Sequence, residues 1–145
     1  MDRMKKKMEL HKKGYNCGQI ITALVSEKTG WEESACDGLA DMCESCGEIC
    51  GTLRGGDYCI NKYWREKTAG EHGIDADRIY ELLSPEEQMH MMKCAKDMSR
   101  QMYDLFMQKN GSLFCSKLRT ENMMESCAVY VDDVADILDS LISKQ

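Results

Sequence analysis

A long amphipathic segment between residues 84 and 109 constrains the fold of this chain more than any other sequence feature. It opens with Ser84-Pro85-Glu86-Glu87, which combines an N-cap serine, a proline at the first helical position and a glutamate at the third. Asn110-Gly111 predicts where the helix ends. The apolar residues between these signals follow the period of a helix with one buried face: Met91, Ala95, Met98, Met102 and Leu105.

Helical patterns also account for the rest of the chain. Asn16 and Gln19 form a capping-box signature before a second helix, and Gly14 is placed to end the first. A buried face of Cys127, Val131, Val134, Leu138 and Leu141 marks the last one. The predicted helices cover residues 2–13, 17–28, 31–46, 58–67, 75–83, 84–109 and 121–143.

These patterns predict an all-α fold, a single-domain bundle of about six helices over residues 1–145. The segment before residue 58 contains Gly51, Gly55 and Gly56, so its backbone can adopt a wider range of conformations than other parts of the chain. Residues 70–73 are predicted to form a loop.

Composition narrows the classes of function. The chain has 145 residues, 43% of them hydrophobic and 30% charged, which is typical of a soluble globular protein. Its net charge of -6 disfavours binding to nucleic acid. No signal-peptide pattern or long apolar run is present, so we expect no membrane insertion and a cytoplasmic location. Nine cysteines in a reducing compartment favour metal binding or redox chemistry over structural disulfides.

Four of the cysteines lie in distinctive settings. Cys17, Cys50, Cys115 and Cys127 stand in GYNCGQ, GEICGTLRGG, GSLFC and ESCAVYVDDV, respectively. A cysteine at a helix start meets unpaired N–H groups and the positive end of the helix dipole, which favour the reactive thiolate. Gly51 and Gly55 would let the backbone come close to a cluster or substrate, so we predict that they contact a cofactor.

The other cysteines leave alternatives open. Cys43 and Cys46 form a C-x-x-C pair that Cys50 extends, a spacing compatible with zinc, an iron–sulfur cluster or a redox dithiol. Cys94 follows His90 by four residues, which places both on one helix face as half a zinc site at most. Two further cysteines have no assigned role: Cys36 and Cys59.

The chain resembles the C_GCAxxG_C_C redox-active protein family. The family's first cysteine corresponds to Cys17, its glycine-bracketed central cysteine to Cys50, and its last to Cys127. The element with a glycine, a serine and a following leucine corresponds to Cys115 and Leu118. The chain departs from the family pattern at Thr52, where the motif has alanine, and in its additional cysteines Cys43, Cys46 and Cys59.

This resemblance implies a redox role for the four matched cysteines. The leading hypothesis is one site that holds an iron–sulfur cluster or another thiolate-bound metal, or that works as a reversible dithiol. Its partner would be a redox protein or a small thiol or disulfide. The alternatives are a zinc-binding helical module without turnover and a helical interaction protein with incidental buried cysteines. The methionine-rich helix favours self-association as a homodimer.

Overall fold

A computed structural model describes residues 3–31, 50–113 and 123–145, without the side chains of Lys28 and residues 123–128. The described ranges contain helices and connections but no strand, which confirms the predicted all-α fold. The elements are α1 (Arg3–Lys12), α2 (Cys17–Thr29), α3 (Gly51–His72), a 3₁₀ turn (Ala76–Arg78), α4 (Ile79–Leu82), α5 (Pro85–Asn110) and α6 (Met123–Ser143). The helix predicted over residues 31–46 lies outside the described residues from position 32 onward.

Two helices begin at their predicted caps. The Asn16 side chain accepts a hydrogen bond from the Gln19 amide at 2.9 Å, while the Asn16 amide donates to Gln19 Oε1 at 3.0 Å. Ser84 accepts a hydrogen bond from the amide of Glu87 at 3.2 Å. Since each cap satisfies a backbone donor that has no partner within its helix, the starts of α2 and α5 are determined locally.

The glycine-rich segment after Cys50 differs from the prediction. Gly51, Gly55 and Gly56 are buried within the first turns of α3, so the helix predicted from residue 58 begins seven residues earlier, at Gly51. The loop predicted over residues 70–73 is also helical up to His72, and Gly73, with φ of +66°, ends the helix. Burial explains the first error, because the missing side chains allow other helices to approach α3 closely.

Near the C-terminal end of α5, the buried face differs from the prediction by one residue. Met91, Ala95, Met98 and Met102 are buried as predicted, but Leu105 is 40% exposed. Phe106 takes the core position, since a step of four residues from Met102 keeps the face aligned over a helix with 3.6 residues per turn.

Helices α2 and α3 run parallel. Gly18 adjoins Gly55, and Cys59 Sγ lies 3.8 Å from Thr22 Oγ1, so both pairs have the same offset of 37 residues (55 against 18, 59 against 22). Beyond the end of α2, the indole of Trp31 donates to Glu66 at 2.5 Å. The N-terminal ends of α2 and α3 therefore lie at the same end of the bundle.

Helix α5 runs antiparallel to α3. Tyr103 donates a hydrogen bond to Asp57, and the neighbouring Met102 lies against Gly56. Beyond the end of α5, the Leu113 carbonyl accepts a hydrogen bond from the Cys50 amide at 2.8 Å. The chain that leaves α5 thus reaches the N-terminus of α3.

Helix α6 packs against α3 on one side and against α1 on the other. Its face of Val131, Val134, Leu138 and Leu141 is buried as predicted, and Val134 lies against Gly56. On the other side, Arg3 pairs with Asp136 at 2.7 Å and Lys7 with Asp132 at 2.8 Å. The order of these pairs makes α1 antiparallel to α6. None of the helices in the described ranges is both long and apolar enough to cross a bilayer.

Candidate functional site

Two of the predicted site cysteines lie at the common end of α2 and α3. Cys17 is the first residue of α2, and Cys50 is the N-cap of α3. The offset of 37 residues places Cys17 level with Arg54, four residues along α3 from Cys50. Four residues are about one helical turn, or roughly 6 Å along the axis, so both cysteines belong to one region of the bundle.

Cys50 is held firmly at this end. It is 6% exposed. Its amide donates to the Leu113 carbonyl, and its own carbonyl accepts from the amides of Leu53 at 3.0 Å and Arg54 at 3.2 Å. Its Sγ lies 3.1 Å from Oγ1 of Thr52, which is fully buried. A hydroxyl at this distance can donate a hydrogen bond to a thiolate, and such bonds stabilise the charged form of a sulfur ligand.

Cys17 is more accessible than Cys50. Its side chain is half-buried, and it follows directly on the Asn16–Gln19 capping box. The cap orients the first turn of α2 and so places Cys17 at the positive end of the helix dipole. Of the two site cysteines with described side chains, Cys17 is therefore the one that an external reactant can reach.

A glycine contact joins the two helix starts. A Cβ added to Gly55 would lie 2.7 Å from both the Cα and the carbonyl oxygen of Gly18. The backbone of α2 thus occupies the space beside Gly55 and brings Cys17, the neighbour of Gly18, close to α3. Gly51 is buried on the same helix. That Gly51 and Gly55 contact a cofactor stays a prediction.

The remaining predicted cysteines cannot be placed at the site. Cys127 belongs to α6, but its side chain is not described. Leu113, whose carbonyl accepts a hydrogen bond from the Cys50 amide, precedes Cys115 by two residues in the sequence. The cysteines that lie outside the described residues are Cys36, Cys43, Cys46 and Cys115.

Cys59 has the surroundings of a structural thiol. It is fully buried in α3, with Thr22 of α2 beside its sulfur. Burial raises the pKa of Cys59 to about 12, because the apolar core disfavours the charged thiolate. Its neighbours are those of a core residue rather than of a reactive group.

Cys59 is therefore expected to resist alkylation in the folded protein. Burial disfavours the Cys59 thiolate, which is the form that reacts with alkylating agents, and it also shields the sulfur from the reagent. Mass spectrometry after brief treatment with iodoacetamide should find Cys59 unmodified in native protein and modified in guanidinium chloride. Labelling of native Cys59 at the rate of the half-exposed Cys94 would contradict this assignment.

Metal-binding side chains form no complete ligand set in the described part of the chain. Within it, no three or more His, Cys, Asp or Glu side chains are grouped so as to hold an ion. His90 and Cys94 lie on one face of α5 as predicted, with Cys94 Sγ 3.7 Å from His90 Nε2 on the exposed side of the helix.

Sequence reasoning missed several contributors to the site. Thr52 stood out only as a departure from the family motif, and nothing in the sequence indicated that its hydroxyl meets the Cys50 sulfur. The Leu113 carbonyl and the Gly18 backbone carry no residue-specific signal at all. These contacts depend on tertiary packing.

Comparison with known proteins agrees with the cysteine pattern. No curated protein and no solved structure matches the chain. Residues 15–141, which include Cys17, Cys50, Cys115 and Cys127, match the family with the description "Putative redox-active protein (C_GCAxxG_C_C)". Since the match spans most of the sequence, the chain belongs to the C_GCAxxG_C_C family of redox-active proteins.

Proposed function

We propose that this protein carries out redox chemistry at a single site formed by Cys17, Cys50, Cys115 and Cys127. The observation that carries the proposal is the hydrogen bond from the Cys50 amide to the Leu113 carbonyl. It joins the start of α3 to the segment that leads into Cys115, at the end of the bundle where α2 begins with Cys17.

Chain connectivity supports the inclusion of Cys115. Leu113 precedes Cys115 by two residues in the sequence, and two residues of chain span at most about 7 Å. Leu113 is itself hydrogen-bonded to Cys50. A side chain two residues beyond this contact can reach a site at the start of α3.

The direction of α6 supports the inclusion of Cys127. Val134 packs against Gly56, six residues after Cys50, and Cys127 precedes Val134 by seven residues, or about 10 Å of helix. Because α6 is antiparallel to α1, and α1 leads through Gly14 into the start of α2, the N-terminal half of α6 extends toward the same end.

As a dithiol, the site would exchange electrons with a disulfide. A Cys17 thiolate attacks one sulfur of an external disulfide and forms a mixed disulfide with it. The other external sulfur leaves as a thiol. A second site thiolate then attacks Cys17 Sγ and releases the remaining external thiol. The protein loses two electrons and two protons, and the external disulfide gains them. The partner is a small disulfide or a redox protein, in keeping with a cytoplasmic location.

As a metal site, the same four thiolates would hold an iron–sulfur cluster. The surroundings of Cys50 fit such a ligand, since the sulfur is shielded from water and has the Thr52 hydroxyl beside it. The cluster would supply one-electron transfer. The chain would supply thiolates, hydrogen-bond donors and a nearly closed environment that sets the reduction potential.

Anaerobic purification separates these two forms. The dithiol form predicts a colourless protein that loses about two titratable thiols per chain with glutathione disulfide and regains them with dithiothreitol. The cluster form predicts visible absorbance with matching iron and acid-labile sulfide. A protein that shows neither response would overturn the proposal. Zinc bound without any redox response would favour the zinc module, and intact partner binding after loss of the four cysteines would favour the interaction protein.

A further inference from the structure

The exposed side of α5 carries a pair of metal-binding side chains that the proposed redox site does not use. His90 is exposed and Cys94 half-exposed, one helical turn apart, with 3.7 Å between His90 Nε2 and Cys94 Sγ. Both residues belong to one 26-residue helix, so the backbone fixes the separation of their Cβ atoms. Imidazole and thiolate are the two side chains from which structural zinc sites are most often built.

The spacing of this pair fits zinc. On a tetrahedral zinc ion with bonds of about 2.3 Å to sulfur and 2.0 Å to nitrogen, the two ligand atoms lie roughly 3.5 Å apart. The observed 3.7 Å needs only a small adjustment. Asp97, one turn further along the same face, adds negative charge that attracts a cation, whereas Glu87 on the other side is paired with His72 at 3.1 Å.

One chain supplies half of a tetrahedral ligand set here, and a second copy can supply the other half. We propose that His90 and Cys94 of two copies bind one zinc ion between them in a Cys₂His₂ site. A two-fold axis through the ion would bring the same helix face of each copy together, which is the geometry of an isologous dimer.

Analytical ultracentrifugation with and without zinc chloride tests the site. The reduced protein should sediment as a 16.6 kDa monomer in EDTA and as a dimer after zinc is added. Magnesium chloride should have no effect, because magnesium prefers six oxygen ligands. His90→Ala and Cys94→Ser should each abolish the dimer and lower bound zinc by about 0.5 ion per chain relative to wild type.

The variants separate this inference from the proposed redox site. His90→Ala leaves all nine cysteines in place, so zinc held by the four site cysteines would remain. Cys59→Ala removes a thiol elsewhere and should dimerise like wild type. Zinc-dependent dimerisation that persists in His90→Ala, or a wild-type protein that stays monomeric with zinc, would refute the shared site whatever the redox measurements show.

Discussion

Cys50→Ser should eliminate the redox response of this protein. The backbone amide of Cys50 donates a hydrogen bond to the Leu113 carbonyl, and its sulfur lies beside the Thr52 hydroxyl. Serine preserves the size of the side chain and its ability to hydrogen-bond to Thr52. It cannot form a disulfide and is a poor ligand for iron. The fold should therefore persist while the chemistry is lost.

The measurement depends on the form that the wild type adopts. For a dithiol, thiols lost to glutathione disulfide should fall from about two per chain to nearly none. For a cluster, bound iron should fall by about ten-fold or more, since even the loss of a group that only supports a ligand weakens metal sites by 10–100-fold.

Cys59→Ala is the matched control for this substitution. It also removes a buried thiol from α3, but from the core position next to Thr22 rather than from the start of the helix. The control should keep the full redox response. If Cys50→Ser behaved like the control, with circular dichroism showing both proteins folded, Cys50 would have no part in the chemistry.

The features that could be predicted from sequence are those determined within one or two turns of helix. The Asn16 and Ser84 caps depend on neighbouring residues and lie where the sequence indicates. The buried face of α6 follows from helical period alone. Leu105 shows the limit of this reasoning, because a period of 3.6 leaves positions 105 and 106 nearly equivalent until the packing partners are known.

The candidate site depends on contacts that the sequence does not encode locally. Gly55 and Gly18 are 37 residues apart, and only the tertiary fold shows that their backbones touch. Glycine is typical both of a mobile loop and of a close helix crossing, so the sequence alone does not distinguish the two at the start of α3. The cysteines could be identified from their motif, whereas the shared end of α2 and α3 required the structure.

Gly55→Ala should destabilise the protein by about 1–3 kcal/mol, the usual cost of overpacking a core. The added Cβ would lie 2.7 Å from the Gly18 backbone, and a helix backbone cannot move aside as a flexible side chain can. The clash has to be relieved by shifting α2 away from α3. The free-energy cost of this shift outweighs the stabilisation of up to about 1 kcal/mol that alanine gives over glycine within a helix.

Gly70→Ala is the matched control in the same helix. Gly70 is exposed, has a helical φ, and a Cβ there would meet nothing within 4 Å. This substitution should stabilise the protein by about 0.5–1 kcal/mol. Urea denaturation of both variants measures the difference directly, and a Gly55→Ala protein as stable as Gly70→Ala would contradict the close crossing.

The same pair of variants links the helix crossing to the chemistry. Separation of α2 from α3 moves Cys17, which adjoins Gly18, away from the start of α3 where Cys50 lies. At a temperature where both variants are folded, Gly55→Ala should therefore also lose part of the redox response, whereas Gly70→Ala should keep it. A folded Gly55→Ala protein with an undiminished response would show that the distance between these helices does not matter to the chemistry.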